Sequence, residues 1–217
     1  MSRYELVIFD WDGTIMDSTG LIARCIQEAC GELGLPVPSD EQARWVIGLG
    51  ASQSVKHVAP TLDPARYAEF AGLYRSRYLA REHEAPLFEG IPGLLAELRS
   101  RERRLAVATG KSRRGLDRAL ESSGLASHFE VSRCADEGFA KPHPGMLLAL
   151  LEATGVEASR TLMIGDTTHD LELAANAGVD AVGVTYGAHD EALLRSRASR
   201  HLATSVEDLR QWLARHA

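Results

Sequence analysis

Val7-Ile8-Phe9-Asp10-Trp11-Asp12-Gly13-Thr14 is the stretch whose reading decides the fold. Leu6 to Phe9 make a short apolar run, the pattern of a parallel strand buried on both faces. The run stops at two carboxylates two residues apart. Ligands of an open α/β sheet gather at the carboxyl ends of its strands, so any chemistry belongs here. Asp10 and Asp12 repel one another, and a cation or a proton on one of them relieves the repulsion. Gly13 lets the chain turn away sharply. Taken alone, the same eight residues fit a strand that simply ends in a polar Asp-Gly turn.

After Thr14 the pattern changes to helix for some seventy residues. Leu21, Ile22, Cys25, Ile26, Ala29 and Leu33 recur at helical spacing, and Gly34 with Pro36 closes that segment. Ser39-Asp40-Glu41 caps a second helix running towards Ile47, which Gly48-Leu49-Gly50 breaks. Ser52 to Ala59 form a third, and Asp63-Pro64 opens a longer one through Phe70, Leu73, Tyr74 and Tyr78. No part of this has strand character. Residues 15–86 therefore read as a helical cap inserted after the first strand, with residues 1–14 and 87–217 as the core. The two crossings, near Thr14–Thr19 and Ala85–Glu89, are the candidate hinges.

From Phe88 strands and helices alternate. Strands are expected at Leu105–Ala108, around Phe129 and Val131, at Thr161–Ile164 and at Ala181–Val184. Helices are expected at Pro92–Arg101, Arg113–Ser122, Met146–Ala153, Leu171–Ala177 and Val206–Arg215, the last capped by Ser205. This alternation predicts an α/β fold, a Rossmann-like parallel sheet covered by helices on both faces.

Composition narrows the function. The 217 residues are 45% hydrophobic and 25% charged, ordinary for a soluble globular protein with a sizeable core. Thirty acidic against twenty-four basic residues argue against nonspecific binding to nucleic acid or to an anionic membrane. No apolar run has the length of a membrane span, and Asp10 arrives too early for a signal peptide. Cys25, Cys30 and Cys134 are too few and too irregular for a disulfide framework or a zinc site. A cytoplasmic location is expected.

Four strand ends or loops carry reactive groups: Asp10 with Asp12, Thr109 with Lys111, Lys141, and Asp166 with Asp170. Each has a plainer reading by itself. Thr109 fits a helix cap, Lys141 a solvated lysine, and Asp170 a favourable charge at a helix start. Together they fall where a parallel sheet gathers its ligands, and together they suit phosphoryl transfer. Carboxylates hold Mg²⁺ along with waters and a phosphate oxygen. A hydroxyl and an ammonium hold the other phosphate oxygens. A carboxylate also serves as nucleophile, through an aspartyl phosphate.

The ordered set Asp10-Trp11-Asp12-Gly13-Thr14, Thr109, Lys141 and Gly165-Asp166-Thr167-Thr168-His169-Asp170 resembles the haloacid dehalogenase superfamily. The helical insertion is similar to the small cap of its phosphoglycolate-phosphatase-like branch. The resemblance implies a Mg²⁺-dependent phosphatase. Asp10 would be nucleophile and metal ligand. Asp12 would be general acid and then base, with its backbone carbonyl on the metal. Thr109, with backbone N–H groups near Gly110, would hold the phosphoryl group. Lys141 would neutralise phosphate and orient Asp10, Asp166 would ligate the metal, and Asp170 would support it at one remove. Gly110 departs from the pattern, because many relatives carry asparagine there.

The expected substrate is a small phosphorylated metabolite, with phosphoglycolate as the family default. No nucleic-acid or membrane partner is expected, and the sequence does not speak to oligomeric state. A sugar phosphomutase of the same family is the alternative, since it shares the core and the aspartate pair but needs extra cations in the cap. Arg24, Arg44, Lys56 and His57 are available for that. A phosphoacceptor signalling domain fits less well, being shorter and lacking the insertion.

Overall fold

The computed structural model describes residues 3–217. Its sheet contains Leu6–Phe9 (β1), Arg104–Thr109 (β2), Val131–Cys134 (β3), Thr161–Gly165 (β4), Asp180–Val184 (β5) and His201–Ala203 (β6). Every pairing is parallel, in the order β3-β2-β1-β4-β5-β6. The chain steps outward from β1 to β3, then returns to the other side of β1 and steps out again to β6. The order therefore reverses between β1 and β4, the place where such sheets open a crevice for ligands. Phe9 pairs with Val107 on one side and Ile164 on the other, so the residues after β1, β2 and β4 emerge side by side.

The helices are Thr19–Glu32 (α1), Asp40–Trp45 (α2), Ala51–Val58 (α3), Tyr67–Arg81 (α4), Ile91–Ser100 (α5), Arg113–Ser123 (α6), Gly145–Thr154 (α7), Thr168–Asn176 (α8), Glu191–Arg195 (α9) and Val206–His216 (α10). Successive strand side chains point to opposite faces. Val7 and Phe9 share a core with Leu94, Leu98, Leu116 and Leu209 from α5, α6 and α10. Leu6 and Ile8 share the other with Leu147, Leu150, Leu171 and Leu194 from α7, α8 and α9. Covering both faces is what allows β1 to be apolar at all four positions.

Helices α1 to α4 lie between β1 and β2 in the chain, and this segment adds no strand to the sheet. Its entry and exit run side by side: Asp17 N–H donates to the Pro86 carbonyl at 2.8 Å, and Phe88 N–H donates to that of Ile15 at 3.0 Å. Ile22, Ile26, Val55 and Phe70 pack as part of the same core cluster as Val7 and Phe9.

Two elements fall where the sequence pattern assigns nothing, α9 and β6. β6 is three residues long and lies at the sheet edge, and it is a strand because Val182 and Val184 of β5 pair with His201 and Ala203. Cys25, Cys30 and Cys134 are buried free thiols. No helix among the described residues is long and apolar enough to cross a membrane.

Candidate active site

The buried strand β1 delivers Asp10 to the crevice, and the Asp10 N–H is held by the Ile164 carbonyl of β4 at 2.8 Å. Lys141 enters from the loop between β3 and α7. Its Nζ donates to Asp10 Oδ1 at 2.7 Å and to Asp170 Oδ1 at 2.6 Å, with the lysine side chain wholly buried. Burial alone pushes the pKa of such an ammonium down, but the two carboxylates more than reverse it and hold it up. Burial pushes the Asp10 carboxyl up to about 7, opposed by Lys141 and reinforced by the charge of Asp170. Asp10 Oδ2 is buried and has no hydrogen-bond partner.

Asp166 ends β4, the neighbouring strand. Its Oδ1 accepts from Thr14 Oγ1 at 3.0 Å and its Oδ2 from the Ala188 N–H at 2.7 Å. Backbone closes around it on two sides. A Cβ at Gly13, whose φ is +84°, would stand 2.1 Å from Asp166 Oδ2, and one at Gly187 would stand 2.3 Å from it. Burial, then the charges of Asp10 and Asp170, push the Asp166 carboxyl well above the usual carboxylate range. Asp170 lies in the first turn of α8. Its Oδ2 accepts from Thr167 N–H at 3.1 Å and Thr167 Oγ1 at 2.6 Å, closing a capping box with Thr167 as the N-cap. Thr167 thus acts as a support of the loop.

One carboxylate oxygen from each of Asp10, Asp166 and Asp170 lies within 4.8 Å of the other two. Three buried carboxyls face one ammonium, and a buried oxygen of Asp10 lacks any partner. All the donors are hard oxygens. The set fits Mg²⁺ by charge and by donor chemistry. Asp170 already uses both oxygens on Lys141 and Thr167, which suits it to supporting the site from behind Asp10 and Asp166.

Asp12 stands apart from this group. Its Oδ1 accepts from Ser18 Oγ at 2.6 Å and lies 3.0 Å from Lys111 Nζ. Lys111 also donates to Tyr78 Oη of α4 at 3.2 Å, joining the core to the helical segment. Burial pushes the Lys111 pKa down, and Asp12 with the two nearby tyrosines raises it past its ordinary value. Thr109 is buried at the end of β2, and its Oγ1 accepts from the Lys111 N–H at 3.2 Å. Asp10, Asp12, Gly110 and Lys111 line a single cavity of about 770 Å³ between the strand ends and the helical segment. Trp11 points away from it, buried edge-on against Phe129 with ring centroids 6.2 Å apart.

Gly110 has a physical reason to lack a side chain. A Cβ there would lie 2.7 Å from the Gly48 carbonyl oxygen. The Gly48-Leu49-Gly50 turn after α2 therefore descends onto the end of β2, and asparagine at position 110 would collide with it. A second fastening lies nearby. The Trp45 carbonyl stands 2.8 Å from His169 Nε2 and 3.1 Å from His189 Nε2. Thr168 N–H donates to His189 Nδ1 at 3.0 Å, which leaves the ring proton of His189 on Nε2, facing Trp45. Burial pushes the pKa of both imidazoles down.

The family model of the haloacid dehalogenase-like hydrolases matches residues 7–184. The chain belongs to that family. It is 33% identical to the 5'-nucleotidase of Pseudomonas aeruginosa, over 99% of this chain and 97% of that protein. It is 31% identical to a phosphoglycolate phosphatase of Vibrio parahaemolyticus, over 97% of this chain and 96% of that one. Among solved structures, a hydrolase from Pseudomonas syringae superposes with a TM-score of 0.89 at 22% identity, covering 97% of this chain and 98% of the other.

In this haloacid dehalogenase-like chain, Asp10, Lys141, Asp166 and Asp170 come together as one buried group, while Asp12 and Gly110 meet it at the cavity. Thr109 is one strand over, with its hydroxyl turned to the backbone of its own turn. Several residues that shape the site escape sequence reasoning. Thr14 and the Ala188 N–H hold Asp166, Ser18 holds Asp12, and His189 clasps Trp45. Thr14, Ala188 and His189 act on residues that only folding brings near, and Ser18 reaches Asp12 across the turn that follows β1. Lys111 was visible as a cation after Thr109, but its pairing with Asp12 was not.

Proposed function

We propose that this haloacid dehalogenase-like hydrolase is a Mg²⁺-dependent phosphatase acting on a small phosphorylated metabolite through an aspartyl phosphate. The observation that carries the proposal is Asp10. One of its oxygens is tied to a buried ammonium, and the other is buried without a partner beside a cavity. That is the arrangement of an oriented carboxylate nucleophile.

Asp10 Oδ2 attacks phosphorus, the ester P–O bond breaks, and the departing oxygen takes a proton from Asp12. A water then attacks the phosphoryl group on Asp10 and gives its proton to Asp12. The Asp10–phosphorus bond breaks and inorganic phosphate leaves. Lys141 fixes Asp10 by Oδ1, while Ser18 and Lys111 aim Asp12 at the cavity. Thr109 and the backbone N–H groups near Gly110 receive phosphoryl oxygens. Asp10, Asp166 and the Asp12 carbonyl would hold Mg²⁺, with Asp170 in support, and the bound ion would neutralise charge on the phosphate.

Residues 15–86 act as a cap that opens and closes about its paired crossings, excluding water while closed. The four cap cations that a phosphomutase would draw on are not placed for it. Arg44 is occupied by Asp40 and Thr19, Arg24 pairs with Glu84, and none of Arg24, Arg44, Lys56 and His57 lines the cavity. The two relatives act on different phosphate esters by name, so relatedness leaves the choice of ester open.

The test is phosphate release from a panel of esters that includes phosphoglycolate and nucleoside monophosphates. It is run with Mg²⁺, after chelation, and after Mg²⁺ is restored. Release should vanish with chelator and return with the metal. Full activity after exhaustive metal removal, or no release from any ester, overturns the proposal.

A further inference from the structure

The cavity beside Asp10 and Asp12 is far larger than a phosphorylated two-carbon acid. It measures about 770 Å³. At about 30 Å³ of liquid volume per water-sized group, such an acid fills well under half of it. What fills the remainder is set by the walls. From the helical segment the lining includes Ile22 and Ile26 of α1, Val55 and Val58 of α3, and Phe70 and Tyr74 of α4, with Ser54, Arg75 and Glu82 as its polar members. The rings of Tyr74 and Tyr78 stack with centroids 6.0 Å apart, adding an aromatic shelf beside Phe70.

The cations of the cavity do not contradict this. Lys111 is committed to Asp12 and Tyr78, and Arg118 forms an ion pair with Glu82 at 3.5 Å, although its buried Nε makes no hydrogen bond. Arg75 and Arg114 are solvent-exposed and belong to the rim. Five of the six apolar side chains are themselves at most 7% exposed, so the gain comes from the ligand: a compact charged acid would leave the cavity largely unfilled, and an apolar alcohol portion would exchange water for these walls.

We infer that the substrate of this site is a phosphate monoester whose alcohol portion is apolar, carrying an aromatic ring or an aliphatic chain longer than four carbons. This rests on the phosphatase reading. It extends that reading by making α1, α3 and α4 an apolar subsite that selects the leaving group.

The test uses alkyl phosphates whose leaving alkoxides are chemically alike: ethyl, butyl, hexyl and 2-phenylethyl phosphate, with phosphoglycolate as the charged comparison. For the full-length enzyme with Mg²⁺, kcat/KM should rise on the order of threefold per added methylene. It should be at least about tenfold higher for 2-phenylethyl than for ethyl phosphate. Tyr74→Ala, which removes half of the shelf, should shrink that ratio, and Val55→Phe, which fills the cavity, should shrink it further. A melting curve confirms that each variant folds.

Binding of the matching alkylphosphonates, followed by calorimetry, reads the subsite without turnover. Affinity that climbs with apolar size supports the subsite even if no ester is hydrolysed, in which case only the phosphatase reading falls. Esters that are hydrolysed with no dependence on apolar size, or a preference for phosphoglycolate, overturn the subsite and leave the phosphatase reading standing.

Discussion

Lys141 Nζ and Asp10 Oδ1 lie 2.7 Å apart where neither side chain meets solvent. A second carboxylate, Asp170, holds the same ammonium at 2.6 Å. The pair orients Asp10 and limits the cost of burying it. Removing one member of such a pair leaves an uncompensated buried charge, at about 3–5 kcal/mol. Lys141→Met should therefore lower unfolding free energy by about that amount at pH 8. At lower pH the deficit should shrink, because the orphaned carboxyls take up protons instead. Urea denaturation at pH 8 and pH 6 measures both. An equal or larger deficit at pH 6 contradicts this account of the charges.

Mg²⁺ binding should release protons, and more of them at low pH. Without metal, Asp10 titrates at about 7 and Asp166 is also raised well above the usual range. Below pH 7 Asp10 is therefore mostly protonated, and a metal ligand must give that proton up. Calorimetry in two buffers of different ionisation enthalpy should find substantial release at pH 6 and little for Asp10 at pH 8.5. Affinity should fall towards acid by about tenfold per pH unit for each proton displaced. Equal release at both pH values would show that Asp10 does not titrate in this range.

Asp12 and Asp10 should separate by leaving group. Asp10→Asn should abolish turnover of every ester, since it removes the attacking oxygen. Asp12→Ala removes a proton donor, a contribution of about a hundred- to ten-thousandfold. That loss should be large for an alkyl ester such as phosphoglycolate. The first step on p-nitrophenyl phosphate, whose leaving group departs readily, should be much less impaired. The second step still lacks its base, so one phosphoryl group should accumulate on Asp10. Rapid quench with intact mass spectrometry looks for it. Equal slowing of both esters with no trapped adduct removes Asp12 from the proposed role.

Gly110→Ala should lift the Gly48-Leu49-Gly50 turn. The new Cβ would stand 2.7 Å from the Gly48 oxygen, so the backbone of the turn has to move. Overpacking of this kind costs about 1–3 kcal/mol. Amide exchange at residues 46–50 should speed up while that of β1 stays slow, and kcat/KM should fall at least about tenfold as closure is lost. Unchanged exchange at the turn would mean that it yields without opening.

The sequence by itself determined the fold class and pointed to the strand ends where the candidate site lies. Helix and strand periodicities depend on residues close along the chain, so four of the five later strands and the helical character of 15–86 were legible. The carboxylates at the ends of β1 and β4 were legible for the same reason, since each follows its own apolar run. β6 was not, because His201-Leu202-Ala203 is a strand only by virtue of the β5 edge it pairs with. Only the tertiary structure decided which oxygen of Asp10 is tied and which has no partner. It also decided that Ser18 and Lys111 hold Asp12, and that Gly110 yields its space to Gly48. Those are relations between residues up to more than a hundred positions apart. A hydrogen bond or a close approach across that distance is set by how helices and sheet pack, which no local pattern in the chain encodes.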